Sequence, residues 1–150
     1  MALGVGVIGA GYWGPNLIRN LCASGEVDLR WVCDLDDARA RSAVGRYSTV
    51  QTTSVVDDVL DDPSVDAVAI ATPAATHTDL GMAAIEAGKH VLIEKPLAPT
   101  LADGRKLVRA ARARGLVLMC DHTYCYTPSV RAIAAAVHSG SLAKAVHSSD

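Results

Sequence analysis

The sequence predicts an α/β fold: a doubly wound parallel sheet of six strands with helices on both faces. Three observations carry that prediction. Short apolar runs recur along the chain without alternating apolar and polar residues, as strands covered on both faces do. Helical stripes fill the gaps between those runs, and strict alternation with short loops implies a crossover-built parallel sheet. Finally GVGVIGAGYWG, residues 4 to 14, satisfies the glycine pattern G-x-G-x-x-G where the first apolar run meets the first helix.

The apolar runs are Leu3 to Ile8, Asp28 to Cys33, Val50 to Thr52, Ala67 to Ala71, His90 to Ile93 and Leu116 to Cys120. After the first run, Pro15 suits the first helical position, and Leu17, Ile18, Leu21 and Cys22 make a stripe that stops near Ser24-Gly25. Asp36 is placed to cap a second helix through Val44. Ser54-x-x-Asp57 and Thr76-x-x-Asp79 look like capping boxes that open the third and fourth helices, the latter stopping at Gly88. Thr100-x-x-Asp103 opens a fifth, which stops at Gly115. On it Leu101, Gly104, Leu107, Val108 and Ala111 share one face, and Arg105, Arg109 and Arg112 share another. A last helix runs from Pro128 to Ser139 and ends at Gly140, with Val130, Ile133, Ala134 and Val137 as its stripe. There is no internal repeat or low-complexity segment. The one candidate domain boundary lies at Asp121 to Thr127, after the sixth strand.

Half of the 150 residues are hydrophobic, a fifth are charged and the net charge is −2. A chain of this length fits one ordinary domain, which buries roughly 70% of the surface of its unfolded form. Its weak charge offers no field for nucleic acid or an acidic membrane, and the arginine row reads as a solvated helix face. With no Phe and many Ala and Val, the core must consist largely of small aliphatic side chains. No basic leader precedes Leu3, and no run approaches the ~20 apolar residues of a membrane helix, so the expected location is the cytoplasm. Cys22, Cys33, Cys120 and Cys125 form no C-x-x-C pair, and no Cys/His set has ligand spacing. They read as small buried hydrophobes, with no metal site.

The glycine pattern fits in two registers. Gly4, Gly6 and Gly9 have only three residues before them and would draw Val7 and Ile8, good strand formers, into a turn. Gly9, Gly11 and Gly14 instead follow a strand and open a helix, the context a dinucleotide site needs. There Gly9 permits the tight turn, Gly11 lets backbone approach a pyrophosphate, and Gly14 lets the helix lie close to the strand. Free N–H groups at the helix start then face the anion, with Tyr12 and Trp13 offering backbone amides rather than rings. Gly4 and Gly6 fall inside the first strand, where helices press against it. Asp34 ends the second strand 20 residues after Gly14. A carboxylate there reaches the adenosine ribose hydroxyls and repels a 2′-phosphate, so NAD is the expected cofactor ahead of NADP.

Two further stretches, ATPAATH (71–77) and AGKHVLIEKPLA (87–98), join GAGYWG in a recognisable set. Together the chain resembles the glucose–fructose oxidoreductase/inositol dehydrogenase/MocA (Gfo/Idh/MocA) family of NAD(P)-dependent oxidoreductases. The resemblance covers essentially the whole chain, and Glu94-Lys95-Pro96 is its most specific element. It implies an N-terminal Rossmann domain over residues 1–123. Residues 124–150 would be the connecting helix and the start of the family's C-terminal mixed-sheet domain, with VHSSD as a first strand. GAGYWGPNLIRN and HTYCYTPSVR are similar to members acting on sugars or nucleotide sugars. The implied reaction is hydride transfer between a substrate hydroxyl carbon and nicotinamide.

Carried onto this sequence, the resemblance puts Thr72 and Pro73 on the cofactor side of the fourth strand and His77 near the same crevice. For His77, a plain helix-start residue is the equal alternative. It puts Glu94 beside the nicotinamide ribose and Lys95, as the catalytic residue, near the reacting carbon, with Lys95–Pro96 a candidate cis bond. An amine there can assist the proton that leaves oxygen while hydride leaves carbon. His122 approaches the nicotinamide or substrate, or else caps its loop; Tyr124, Tyr126 and Arg131 take no assigned contact. Family members run to about twice this length, and their second domain brings an Asp-x-x-x-His pair and the oligomer interface. These residues alone are therefore expected to bind cofactor without the full catalytic machinery, and a homo-oligomer is expected to be weakened. A stand-alone NAD(H)-binding sensor remains an alternative. A methyltransferase is another, against which Glu94-Lys95-Pro96 and Thr72-Pro73 argue.

Overall fold

The computed structural model describes residues 2–45 and 49–141. Six strands, β1 (Leu3–Ile8), β2 (Val27–Cys33), β3 (Gln51–Thr53), β4 (Ala67–Ile70), β5 (His90–Glu94) and β6 (Leu118–Asp121), form one parallel sheet in the order β3-β2-β1-β4-β5-β6. Between and after them run α1 (Gly14–Ala23), α2 (Asp37–Val44), α3 (Val56–Leu60), α4 (His77–Glu86), α5 (Leu101–Ala113) and α6 (Pro128–His138). The chain builds outward from β1 to β3, then returns to the other side of β1 to add β4. That reversal opens a crevice at the carboxyl ends of β1 and β4. The expected doubly wound Rossmann sheet is therefore present.

Why the strands read as continuous apolar runs is visible in the two cores. Val5 and Val7 turn to one face and pack with Ile18 of α1 and with Ala40 and Val44 of α2. Ile8, Val68, Ile70 and Ile93 turn to the other and pack with Val59 of α3, Ala84 and Ile85 of α4, and Leu107 and Ala111 of α5. Successive residues serve opposite cores, so no polar alternation survives in the central strands. Gly6 sits under α3, where a Cβ would lie 2.4 Å from Val59 Cγ1. Gly4 differs from expectation. Its space is taken by loop backbone, with a Cβ only 1.8 Å from the Ser64 carbonyl oxygen, rather than by a helix.

Element ends show where local signals hold. Asp36 accepts from the Arg39 amide at 3.2 Å, and Thr100 accepts from the Asp103 amide at 3.1 Å. Ser54 and Thr76 do not cap. The Thr53 hydroxyl accepts from the Val55 amide and donates to Asp58. Thr76 closes a 3-10 turn (Ala74–Thr76) that precedes α4, its hydroxyl 2.8 Å from both Thr72 Oγ1 and the Pro73 carbonyl. Such hydroxyls bond turns as readily as helix starts, which is why the pattern misleads here. β3 begins one residue later than expected, and β6 runs from Leu118 to Asp121 rather than from Leu116 to Cys120.

A strap ties the loop before β4 to its neighbours. Lys89 Nζ donates to the carbonyls of Asp62 (2.9 Å) and Val65 (2.8 Å), and the Trp31 indole N–H donates to the Asp62 carboxylate at 2.7 Å. The Trp31 bond first, then Ser64, pull the Asp62 carboxyl down to about 2.

Cover on the sheet is uneven. On the α1 side, an apolar groove of about 300 Å³ runs past α1 over Leu92, Val117 and Met119, and Val117 is 63% exposed. α6 does not fold back over it. Its main neighbour is the 3-10 turn Thr123–Tyr126, none of its residues is buried, and Val130, Ile133 and Val137 face outward. The candidate strand VHSSD lies outside the described residues. Cys33 is buried as expected, with its thiol pushed up to about 11 by burial and then by Asp34 and Asp58. Cys125 departs from expectation, standing exposed in the turn before α6. Among the described residues, no helix is long and apolar enough to cross a membrane.

Candidate functional site

A crevice of about 1260 Å³ opens at the carboxyl ends of the strands. It brings together Gly9, Gly11, Tyr12, Trp13, Asp34, Thr72, Pro73, Glu94, Lys95 and His122, which is every expected site residue except Gly14 and His77.

The glycine loop forms one wall. Gly9 has φ +99°, a conformation open to glycine, and a Cβ there would meet the Ala71 backbone at 2.8 Å. A Cβ on Gly14 would lie 2.2 Å from the Gly9 carbonyl oxygen, so Gly14 works by close packing behind the wall and not by lining it. At Gly11 a Cβ would meet no protein atom. Helix α1 begins without a side-chain cap and without an acidic residue in its first turn. Among the described residues the amides of Gly11, Tyr12, Trp13 and Gly14 donate to no protein acceptor. A helix start left this way suits an anion. The Tyr12 ring is 96% exposed.

Asp34 stands at the loop's flank, 8% exposed. Its Oδ2 accepts from the Ala10 amide at 2.8 Å; its Oδ1 accepts from the Asp36 amide at 2.9 Å and from Arg39 Nη1 at 3.1 Å. One carboxylate thus fastens the end of β2 to the glycine loop. With about four acceptor positions on a carboxylate, it still has room for a ligand hydroxyl. Arg39, half-exposed, also reaches Asp36 at 3.3 Å and lines the crevice. Sequence reasoning passed over Arg39. Its signal was local, since the third residue after a capping Asp faces back toward that cap.

The opposite wall is built from the ends of β4, β5 and β6. Thr72 and Pro73 follow β4 directly, Glu94 ends β5, and Lys95 stands exposed after it, with the Lys95–Pro96 bond cis. His77 is buried behind this wall at 1% exposure, its Nδ1 2.8 Å from the Pro96 carbonyl and its Nε2 2.8 Å from the Thr72 carbonyl. Both ring nitrogens are occupied by protein, so His77 holds the two loops together and presents nothing to the crevice. Glu94 is nearly buried, and burial first, then the neighbouring Asp121, push its carboxyl above the ordinary glutamate range. Asp121 was read only as part of a boundary. The signal that would have found it is that two adjacent parallel strands both end in an acid. His122, exposed, follows it on the crevice rim with Thr123, Tyr124 and Cys125.

Known proteins are similar to this chain in sequence and fold. A family model described as "Oxidoreductase family, NAD-binding Rossmann fold" (GFO_IDH_MocA) matches residues 3–122. Inositol 2-dehydrogenase 1 of Saccharopolyspora erythraea is 37% identical over 147 residues, covering 95% of this chain and 43% of its own. Among solved structures, GenD2 from gentamicin A biosynthesis, in complex with NAD, matches with a TM-score of 0.82 at 39% identity, over 85% of this chain and 36% of that one. KijD10, a 3-ketoreductase from Actinomadura kijaniata in complex with NADP and TDP-benzene, matches with a TM-score of 0.86 at 29% identity, over 93% and 43%. The chain spans less than half the length of each of these proteins.

Proposed function

The chain belongs to the Gfo/Idh/MocA family of oxidoreductases, as its NAD-binding Rossmann domain, and from that premise we propose that it binds NAD ahead of NADP and serves hydride transfer at a hydroxyl carbon of a sugar or nucleotide sugar. The observation that carries this reading is Asp34, a buried carboxylate fastened to the glycine loop and still open to the crevice. The residues fit the cofactor. Gly11 leaves space no side chain fills, and the unpartnered amides of residues 11–13 supply donors for a diphosphate.

In this reading the amides of Gly11, Tyr12 and Trp13 hold the diphosphate, and Asp34 accepts from the ribose diol. Arg39 is held between Asp34 and Asp36, so a 2′-phosphate meets two carboxylates against one guanidinium, a net negative charge. That balance supports NAD. Thr72 and Pro73 form the wall along the cofactor, and the Glu94 carboxyl faces the nicotinamide ribose. A bound nicotinamide would supply the acceptor or donor of the hydride. Lys95 Nζ holds the proton of the substrate oxygen, and His122 flanks the substrate side.

Lys95 and His122 are both exposed, and among the described residues nothing shields them from water. Water exclusion is a substantial part of such catalysis. The second reading is a cofactor-binding module without turnover of its own. A cytoplasmic setting agrees with the cofactor and with four free cysteines. A titration by calorimetry with NADH, NADPH and S-adenosylmethionine, followed by turnover assays on a sugar panel with NAD, tests both. NADH is expected to bind at least tenfold more tightly than NADPH. Tighter NADPH binding, or binding of S-adenosylmethionine, refutes the assignment, and turnover of any sugar refutes the module.

A further inference from the structure

Two acid side chains meet at the floor of the crevice. In the β5–β6 pairing, Glu94 and Asp121 are register neighbours, both line the crevice, and the Asp121 carboxyl lies within hydrogen-bonding range of Glu94. Glu94 is nine-tenths buried; its Oε2 accepts from the Lys95 amide at 3.2 Å, and its Oε1 is buried with no partner. A buried carboxylate oxygen without a donor is unfavourable, and two carboxylates in contact do not both ionise without a large penalty. One proton between them relieves both problems, because it supplies a donor and leaves one negative charge in place of two.

We propose that Glu94 and Asp121 share a single proton, and that entry of a cationic ring beside them drives that proton off. The second half rests on the cofactor reading above; the first does not. Oxidised nicotinamide carries a positive charge that favours the ionised pair, and reduced nicotinamide carries none. Asp121 is thus a positioning residue that sets the charge state of Glu94. The ionisable groups that act on Glu94 are Lys95, the residue after its strand, and Asp121 and Cys120 of β6; His122 and Asp79 line the same crevice, and His77 lies behind its wall. Burial acts first in holding the Glu94 proton, then Asp121 by hydrogen bond and charge; Lys95 opposes both by its amide and its charge.

The sign follows from linkage. Glu94 binds its proton more tightly folded than unfolded, so its contribution to stability falls as pH rises from about 4.3, the unfolded glutamate value, through the raised folded midpoint. The chain's glutamates are Glu26, Glu86 and Glu94, so carboxyl ¹³C titration of the cofactor-free chain, with Glu94→Gln to assign the signal, reads the group directly. One glutamate is expected to titrate above the ordinary range, and Asp121→Asn is expected to bring it back toward that range and to raise the melting temperature above the midpoint. A Glu94 midpoint in the ordinary range, or one unmoved by Asp121→Asn, overturns the shared proton. Calorimetry with NAD⁺ and NADH in two buffers of different ionisation enthalpy reads the coupling. Proton release with NAD⁺ alone supports it, and equal release with both cofactors overturns it. A raised midpoint in a chain that binds neither cofactor still supports the pair and refutes the cofactor reading.

Discussion

Asp34→Ala removes one carboxylate with two separate tasks, and the two can be measured apart. In the free chain Asp34 takes three donors. The Asp36 amide and the half-exposed Arg39 find water when it goes, so those losses are small. The Ala10 amide does not, because its bond to Asp34 is buried. Leaving a buried N–H unpaired costs about 1–3 kcal/mol, which lowers the melting temperature by roughly 2–4 °C per kcal/mol in a chain of this size. The second task is the ribose diol. Hydrogen bonds to a charged acceptor contribute about 1.5–3 kcal/mol, so the NADH dissociation constant is expected to rise about 10- to 100-fold. NADPH should behave differently, since the same change removes a repelling charge and frees Arg39 to meet the 2′-phosphate. Its affinity is expected to stay level or improve. Calorimetric titration of both cofactors, beside thermal melts of the free protein, reads all three quantities. Equal fold losses for NADH and NADPH would refute the ribose role, and an unchanged melting temperature would refute the loop-fastening role.

Other expectations follow from single contacts. Gly14→Ala places a methyl 2.2 Å from the Gly9 carbonyl oxygen, so the loop must shift and NADH binding should be lost, while Gly11→Ala, which meets no protein atom, should fold normally and fail only in binding; melts and NADH titrations of the two variants test this contrast. Lys95→Ala should leave NADH affinity within a few-fold and remove turnover of any sugar the protein oxidises; unchanged kcat would take Lys95 out of the chemistry. Asp62 is held at about 2 by Trp31 and then Ser64, below the ordinary aspartate value of about 3.9. Its stabilisation is thus full above about pH 4 and lost as pH falls toward about 2. Asp62→Asn should flatten that acid limb and, by weakening the Trp31 bond, cost about 1 kcal/mol near neutrality. Identical pH slopes in calorimetric melts of the two proteins would contradict it.

Much of the fold was legible because its signals are local in sequence. The strand runs, the glycine register, and the caps at Asp36 and Thr100 each depend on residues within a few positions of one another. Asp34 was legible by its interval from Gly14, although its bond to the Ala10 amide was not, since that contact spans 24 residues. Asp121 escaped notice for the same reason. Its meaning comes from sitting opposite Glu94 across two strands, which only the register reveals. Thr76 and Ser54 misled because a hydroxyl near a backbone turn has several partners of equal appeal. His77 carried the right neighbourhood and the wrong exposure. A histidine whose two nitrogens both reach carbonyls looks, in sequence, like one free to meet a ligand.

The lopsided cover of the sheet has a mechanical consequence. β1 and β2 are clad by helices on either side, whereas among the described residues β6 is covered on its α5 side and Val117 and Met119 are left exposed. Backbone bonds shielded on a single flank break and reform more often. The crevice consequently has one stiff bank, carrying Gly9 and Asp34, and one yielding bank, carrying Asp121 and His122. Amide exchange along Leu118–Asp121 should outpace that along Val5–Ile8 in the same sheet. A long ligand laid across the gap would find its first half anchored in stone and its second half on ground that can still settle around it.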